Sequence, residues 1–463
     1  MREIEEILSA IQDEMKQSHI KYIVLDDDPT GSQCCNDVYV YFTWGREQIR
    51  QMLQDGHAVS FFLTNSRSLS VAETISLHTL IMKKIIEEAK ALKITFQILS
   101  RSDSTLRWNY PSEMDAISTT LTQAGIEPGA EIICPCFIEG GRITRNDIQY
   151  AFVNDVWLPV GKTEFAKDRT FAYQSSDLKE YICEKRKEDR SQEQFISISE
   201  EELESESKEV LKQLLFAKTC QKIIVNATTE KQLAFFTLQY VKACRQGHRF
   251  LYRGGSSLLR FLLKKPYIPF LESANMYCER HSAGGLIVAG SHVEKTTKQL
   301  AVLQKANCCT IVIFHQKVLL ESPKNVLQEI QRCTAEIETN LKKGINVCYM
   351  TDRKRIDLPQ KDGKAQLDFA MEISNHFLSV VGSLHTIPSF VIGKGGITSC
   401  ELGKRIMNRD RVKVAGQIVD GVTVWNGDEY ALFPNIPYIV FPGNVGSDET
   451  LLNVVNKMQN KKL

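Results

Sequence analysis

The sequence predicts an α/β protein of two domains, each a mainly parallel sheet flanked by helices. Two observations carry this. Apolar runs of strand length alternate with longer helical patterns, the signature of parallel strands with crossover helices. The polar residues that end each run also change character midway, from acids, hydroxyls and arginines to glycine-rich turns.

The elements follow in order. Residues 1–18 have the pattern of an amphipathic helix. Tyr22-Ile23-Val24-Leu25 is a short buried strand that ends in Asp26-Asp27-Asp28, with Pro29 and Gly31 forcing a turn. Clustered acids at a strand end are costly unless they hold a cation, a hydroxyl or a proton in transit. Val38–Phe42 is a second strand, and Ala58–Leu63 a third that ends in Thr64-Asn65-Ser66-Arg67-Ser68. Thr74–Leu92 has helical periodicity. Thr95–Leu99 is a strand leading into Ser100-Arg101-Ser102-Asp103-Ser104-Thr105-Leu106-Arg107, and Glu131–Pro135 repeats the pattern. Residues 184–209 are dense in charge and read as a solvated helical face or surface excursion. Lys222–Val225 is a strand with Asn226 at its exit.

A domain boundary fits near 264–283, giving domains over 1–270 and 280–463. Lys264-Lys265-Pro266-Tyr267-Ile268-Pro269 breaks the pattern, and Gly284–Ser291 starts a fresh strand and turn. Strands follow at Thr310–Phe314 and Asn346–Met350, then glycine-rich turns at 393–396, 416–421 and 443–446.

Composition bounds the function. The 463 residues are 43% apolar and 24% charged, with 57 basic and 56 acidic residues and a net charge of +1. That balance excludes a broad nucleic-acid surface but not a local basic pocket. No apolar run approaches the roughly 20 residues of a membrane helix. The acidic, amphipathic start lacks the layout of a signal peptide, so the cytoplasm is the expected location. The thirteen cysteines include the adjacent pairs Cys34-Cys35 and Cys308-Cys309 and a C-x-C at Cys134-Pro135-Cys136. They suit buried thiols better than a disulfide frame or a zinc site.

Two kinds of chemistry separate along the chain. In the first half, Arg67, Arg101 and Arg107 lie in hydroxyl-rich strand exits. Arginine forks suit a carboxylate or phosphate and hydroxyls suit a polyol, although any one of them alone would serve as a cap or ion pair. In the second half, Gly290–Thr297, Gly393–Ser399 and Phe441–Gly446 each follow a strand. Three such turns suggest a phosphate cradle. Gly161-Lys162-Thr163 is no P-loop, because Val156 replaces the required glycine, and neither G-x-G-x-x-G nor G-x-S-x-G is present. Asp26-x-Asp28-x-Thr30 has the form used by haloacid-dehalogenase phosphatases. This alternative would make Asp26 the nucleophile with Asp28, and needs a later acidic pair such as Asp428-Glu429.

Together the motifs resemble the four-carbon acid sugar kinases, which include threonate, erythronate and 3-oxo-tetronate kinases. The matching segments are LDDDPTGSQ at 25–33, TNSRSLS at 64–70, SRSDSTLR at 100–107 and TEFAKDRTFAY at 163–173. GSHVEKTTKQL at 290–300, KGGITS at 394–399, GQIVDGV at 416–422 and FPGNVG at 441–446 complete the set.

The resemblance implies an acid-sugar-binding first domain, an ATP-binding second domain, and transfer in the cleft between them. It implies that Asp27 or Asp28 orients or deprotonates the substrate hydroxyl. Arg67, Asp103, Ser104 and Arg107 would bind the acid sugar. Ser291, Gly395, Gly396, Ile397, Thr398, Gly443 and Asn444 would bind the nucleotide. ATP and Mg²⁺ are the implied cofactors, with no protein ligand named for the metal, and a homo-oligomer is left open.

The chain departs from the family pattern at Trp108-Asn109, where Gly-His is usual, so Trp108 is expected to narrow or cap the substrate pocket. Asn226 replaces a common aspartate, and Tyr252-Arg253-Gly254-Gly255-Ser256 replaces Arg-Thr-Ala-Ala-Ser. A non-catalytic sensor of a sugar acid and nucleotide is a further alternative.

Overall fold

The computed structural model describes residues 2–28, 35, 37–153, 155–168, 170–188, 194–263, 270–272, 276, 282–354, 356, 363–407, 410–427, 430–443 and 445–459, with the backbone alone for 363–368, 370 and 397. The chain divides into two compact units, Met1–Tyr267 and Ile268–Leu463.

Unit 1 begins with helix α1 (Ile4–Ser18), which buries Ile7, Ile11 and Met15 at helical spacing. Its strands are β1 (Lys21–Asp26), β2 (Val38–Tyr41), β3 (Val59–Leu63), β4 (Phe96–Arg101) and β5 (Ala130–Cys134). A second group is β6 (Arg142–Arg145), β7 (Ile148–Val153), β8 (Val156–Pro159), β9 (Gln194–Ile198), β10 (Gln221–Val225) and β11 (Phe250–Gly254). The parallel sheet runs β2-β3-β1-β4-β11-β5-β10-β9. The chain winds one way from β1 to β3 and β2, then crosses to β4 on the other side. That reversal is a topological switch point, where open sheets of this kind bind ligands.

Helices α2 (Arg46–Gln54), α3 (Val71–Leu92) and α4 (Ser112–Gln123) pack in one layer. Helices α5 (Leu178–Arg186), α6 (Glu200–Glu204), α7 (Lys208–Phe216), α8 (Glu230–Arg245) and α9 (Ser257–Leu262) follow, and α1, α6, α7 and α9 pack on α8. Helix α3 starts three residues before its expected limit because Ser70 and Glu73 form a reciprocal cap.

Two features differ from the sequence reading. The charged stretch 184–209 holds β9, paired along β10 at the sheet edge, as well as helix. Strands β6, β7 and β8 form a separate antiparallel sheet that the sequence reading did not anticipate. In both places the strands are short and only partly buried, so no continuous buried apolar run marks them in the sequence.

Unit 2 contains β12 (Leu286–Ala289), α10 (Glu294–Lys305), β13 (Thr310–Phe314), α11 (Pro323–Lys342), β14 (Val347–Thr351), α12 (Gly363–Gly382) and β15 (Val391–Lys394). It ends with α13 (Gly396–Met407), β16 (Arg411–Val419), β17 (Val422–Asn426), β18 (Pro437–Phe441) and α14 (Thr450–Met458). The strand order is β13-β14-β12-β15-β18-β17-β16, parallel through β18 and antiparallel beyond. A second switch point falls between β12 and β15. The expected turn at 416–421 is corrected in part: Gly416 lies inside β16 at a register irregularity, with φ +147°, and only 420–421 turn. None of the described cysteines is in a disulfide, and no helix among the described residues is long and apolar enough to cross a membrane.

Candidate active site

In unit 1 the exits of β3, β1 and β4 lie side by side, because those strands are neighbours in register. Backbone and hydroxyl bonds tie them together. The amide and hydroxyl of Thr64 donate to Asp26 O at 2.8 and 2.9 Å, and the Asp27 amide donates to Arg101 O at 3.3 Å.

The acids meet guanidinium groups at this edge. Arg67 donates Nη2 to Asp27 Oδ1 at 2.8 Å and Nη1 to Asp28 Oδ2 at 3.2 Å. Arg101 Nη1 lies 3.3 Å from Asp26 Oδ1 and 3.5 Å from Asp27 Oδ1. Asp26 and Asp27 are each only 2% exposed. Burial pushes Asp26 up to about 7 against the pull of Arg101, and Asp27 is also raised. Asp27 Oδ2 is buried with no hydrogen-bond partner among the described residues. A buried carboxylate oxygen left unmatched beside two arginines is an acceptor held ready for a ligand donor.

Asp103, Ser104 and Arg107 form an adjoining group. Arg107 Nε donates to Asp103 Oδ2 at 2.8 Å and to Thr105 Oγ1 at 3.1 Å, and Thr105 also bonds Asp103. Burial raises the Asp103 carboxyl, but Arg107, Arg67 and the Thr105 hydroxyl outweigh it and hold it below the usual carboxylate range. Asp103 is thus partly a cap of its own loop. Phe165, from the 163–173 motif, lies 4.9 Å under Arg107, and the terminal nitrogens of Arg107 make no hydrogen bond among the described residues.

Three residues here escaped the sequence reading. The charges of Asp103 and Arg107 reach Arg142, whose Nε is buried without a hydrogen-bond partner among the described residues. Glu113 pairs with Arg253 at 2.8 Å, accepts from Ser100 and from Ser66 (3.4 Å), and lies 3.4 Å from His78 Nε2. The acid and both bases sit on α4, α3 and β11, remote in sequence, and only the departure at 252–256 marked Arg253. The expectation for Trp108 is corrected: it is buried in the apolar core, edge-on to Tyr181 at 6.1 Å and under Arg253 at 4.8 Å. Asn109 donates to Ser66 O at 2.8 Å and to Thr74 Oγ1 at 3.0 Å, fixing the loop that carries Arg67.

In unit 2 the turns after β12, β15 and β18 come together at the C-terminal ends of three adjacent strands. Gly395 has φ +112°, and a Cβ there would stand 2.7 Å from Ser291 Cβ. A Cβ at Gly290 would meet Thr398 Oγ1 at 2.7 Å, and one at Gly443 would meet Ser291 Oγ at 3.3 Å. At Gly396, by contrast, no atom of the described residues, its chain neighbours and its own helix backbone aside, lies within 4 Å of a would-be Cβ. Thr296 Oγ1 donates to Gly443 O at 3.0 Å, clamping the last turn to α10. Asn444, Pro29, Gly31 and the pair Asp428-Glu429 lie outside the described residues, as does the side chain of Ile397.

The sequence reading also passed over the side chain of Lys394. It is fully buried, donates to Pro442 O at 2.5 Å and Gly443 O at 3.3 Å, and lies 4.1 Å over the Phe441 ring. Burial, helped by the charge of Lys295, pulls its ammonium down to about 7.

Comparison with known proteins assigns both units. Residues 22–262 match the sugar-binding N-terminal domain model, and residues 286–451 match the nucleotide-binding C-terminal domain model. The chain belongs to the four-carbon acid sugar kinase family. The comparison with curated proteins returned no match. A Salmonella typhimurium LT2 structure, provisionally described as a tRNA synthase, aligns with TM-score 0.65 and 15% identity over 94% of this chain and 98% of that one. A Haemophilus influenzae protein of the family once defined only as of unknown function aligns with TM-score 0.62 and 17% identity over 95% of this chain and 100% of that one. At these identities the structures share the fold. The acid and arginine strand exits of unit 1 lie within the segment matched to the sugar-binding model, and the glycine turns of unit 2 within the segment matched to the nucleotide-binding model.

Proposed function

We propose that this protein is an ATP-dependent kinase that phosphorylates a hydroxyl of a four-carbon acid sugar of the threonate, erythronate or 3-oxo-tetronate class. The observation that carries this reading is Asp27, a buried carboxylate with one oxygen held by Arg67 and the other without a partner among the described residues. Phosphoryl transfer needs a positioned hydroxyl, an acid to orient it or take its proton, and donors for the phosphates. Asp27 fills the second role, with Asp28 beside it through their shared arginine. The raised Asp27 carboxyl suits a proton acceptor better than an ordinary carboxylate would.

Arg67, Arg107, Asp103 and Ser104 bind the carboxylate and hydroxyls of the acid sugar. Ser291, Gly395, Gly396, Ile397, Thr398, Gly443 and Asn444 bind the nucleotide. The open space at Gly396 supports this, since the protein itself does not demand glycine there. Mg²⁺ would accompany ATP. Among the described residues no three His, Cys, Asp or Glu side chains converge as a metal site, and Asp26 and Asp27 already face guanidinium groups. No protein ligand is assigned to the magnesium, and no role in this reading depends on one.

The phosphatase alternative fits less well, because its nucleophile Asp26 is buried and paired with Arg101.

The test is ADP release from Mg-ATP over D- and L-threonate, D- and L-erythronate and the 3-oxo-tetronates. Substrate-dependent ADP is expected, with Asp27→Asn lowering kcat by about 10²–10⁴-fold while ATP binding persists. ATP binding with a flat panel would favour the sensor, and hydrolysis of sugar phosphates without ATP the phosphatase. Unchanged kcat in both Asp27→Asn and Asp28→Asn would remove the assignment of the acids.

A further inference from the structure

Among the described residues, a second cation of unit 2 has no counter-charge at the same sheet edge. Arg353 follows β14, the neighbour of β12, whose own exit is the Gly290–Val293 turn. Its Nη2 donates to Thr297 Oγ1 at 2.7 Å, in the first turn of α10, the helix that this glycine turn enters. Its Nε and Nη1 are buried and have no hydrogen-bond partner among the described residues. The nearest acid in sequence, Asp352, is committed elsewhere: it accepts from the Gln316 amide at 3.1 Å and faces His315 Nδ1 at 3.2 Å. Two residues earlier, Thr351 is 2% exposed and its hydroxyl also has no partner among the described residues.

Leaving guanidinium N–H groups dry and unmatched is destabilising, more so than for neutral donors. Burial accordingly pulls the Arg353 guanidinium below its usual range, with Cys348 opposing. A structural cation would recover that cost through a counter-charge or a set of carbonyls: Arg253, whose Nε and Nη2 are likewise unpartnered among the described residues, has the Glu113 carboxylate, and Lys394 has the Pro442 and Gly443 carbonyls. Among the described residues, Arg353 recovers it through one hydroxyl alone. Nη1, with the second N–H of Nη2, makes the end-on planar fork that matches two oxygens of a phosphate, and Nε–H is a further charged donor.

We propose that Arg353, steered by Thr297, is a binding residue for the polyphosphate of the nucleotide. The proposal rests on unit 2 being the nucleotide-binding domain, and it adds a side-chain cation to a site otherwise built from glycine turns.

Calorimetric titration of the full-length protein with ATP, ADP and AMP tests it, without reliance on turnover. Arg353→Gln is expected to weaken ATP and ADP binding about 10- to 100-fold while AMP changes less than about threefold. Arg353→Lys, which keeps the charge but not the fork, is expected to weaken ATP about 3- to 10-fold. ATP binding by Arg353→Gln within about twofold of wild type overturns the proposal, and so does an equal loss for ATP and AMP. If circular dichroism shows Arg353→Gln unfolded, Arg353→Lys decides, and ATP affinity unchanged in that folded variant overturns it. A wild-type protein that binds none of the three nucleotides overturns the nucleotide reading itself, a result distinct from the others.

Discussion

Asp26 is the acid of the triplet that the fold holds at the greatest expense, and replacing it should show this directly. Its carboxyl rises from 3.8 to about 7, chiefly through burial, with Asp27 and Asp28 adding repulsion and Arg101 opposing. A raised carboxylate binds a proton more tightly folded than unfolded. Its favourable contribution is therefore complete below about pH 4 and is lost as pH rises toward 7. At about 1.4 kcal/mol per tenfold in proton affinity, the ionised group costs the fold about 4 kcal/mol at neutral pH. Asp26→Asn cannot ionise, so its stability relative to wild type should improve with pH. Between pH 5 and pH 8 the difference should move in favour of the variant by about 2–3 kcal/mol. Urea unfolding at the two pH values, followed by tryptophan fluorescence, reads this, since Trp44, Trp108 and Trp157 all lie in unit 1. A gap that stays constant, or that moves against the variant as pH rises, would refute the electrostatic argument. The same variant should turn over more slowly, since an acid kept at such cost beside Asp27 helps set the charge there.

Two other changes separate the units. Gly395→Ala forces an alanine to φ +112° and drives its Cβ against Ser291, so ATP affinity should fall at least about tenfold while acid-sugar binding is retained; equal loss of both would show a fold defect instead. Trp108→Gly empties a core position and should cost about 3–5 kcal/mol in urea unfolding, with the KM for the acid sugar moving less than about threefold. A broadened substrate range in that variant would show that Trp108 lines the substrate pocket after all.

Much of the scaffold was legible in the sequence because buried parallel strands are written as continuous apolar runs. Tyr22–Leu25, Thr310–Phe314 and Pro437–Val440 all fall inside observed strands. The exits that carry Asp27, Arg67 and Arg107 were legible for the same reason: a polar cluster after such a run can only lie at the sheet's edge. What escaped depends on partners distant in the chain. Glu113 looks like an ordinary acid in the first turn of α4 until Arg253 of β11 and His78 of α3 close around it. Arg353 looks like one charge in Asp352-Arg353-Lys354 until its neighbours prove to be committed elsewhere. Strand β9 escaped because an edge strand with only Ile198 fully buried lacks an apolar run.

The departures from the family pattern are best understood as coupled changes in packing. A Cβ at Gly254 would stand 2.2 Å from Cys134 O, and one at Gly255 would stand 2.2 Å from Cys136 O, so the usual Ala-Ala cannot occupy this backbone. Tyr252 shares in the same contact, donating its hydroxyl to Cys134 O at 3.1 Å. Arg253 in turn needs both its new neighbours: Glu113 neutralises it, and the Trp108 ring covers its face. A buried arginine stripped of its acid loses about 3–5 kcal/mol, and a desolvated ring contact is worth up to about 2. Trp108 and Arg253 thus depend on each other, and a glycine at 108 would leave the guanidinium uncovered. Asn226 obeys the same logic, since it donates to Asp147 Oδ1 at 2.9 Å where an aspartate would repel. None of these residues replaces a group of the Asp27–Arg67 pair. Their influence on the site is electrostatic: Arg253 is the third cation, after Arg67 and Arg101, whose charge pulls Asp27 down against its burial. The variation around this site therefore acts on how readily Asp27 takes a proton, through a residue that the carboxylate does not touch.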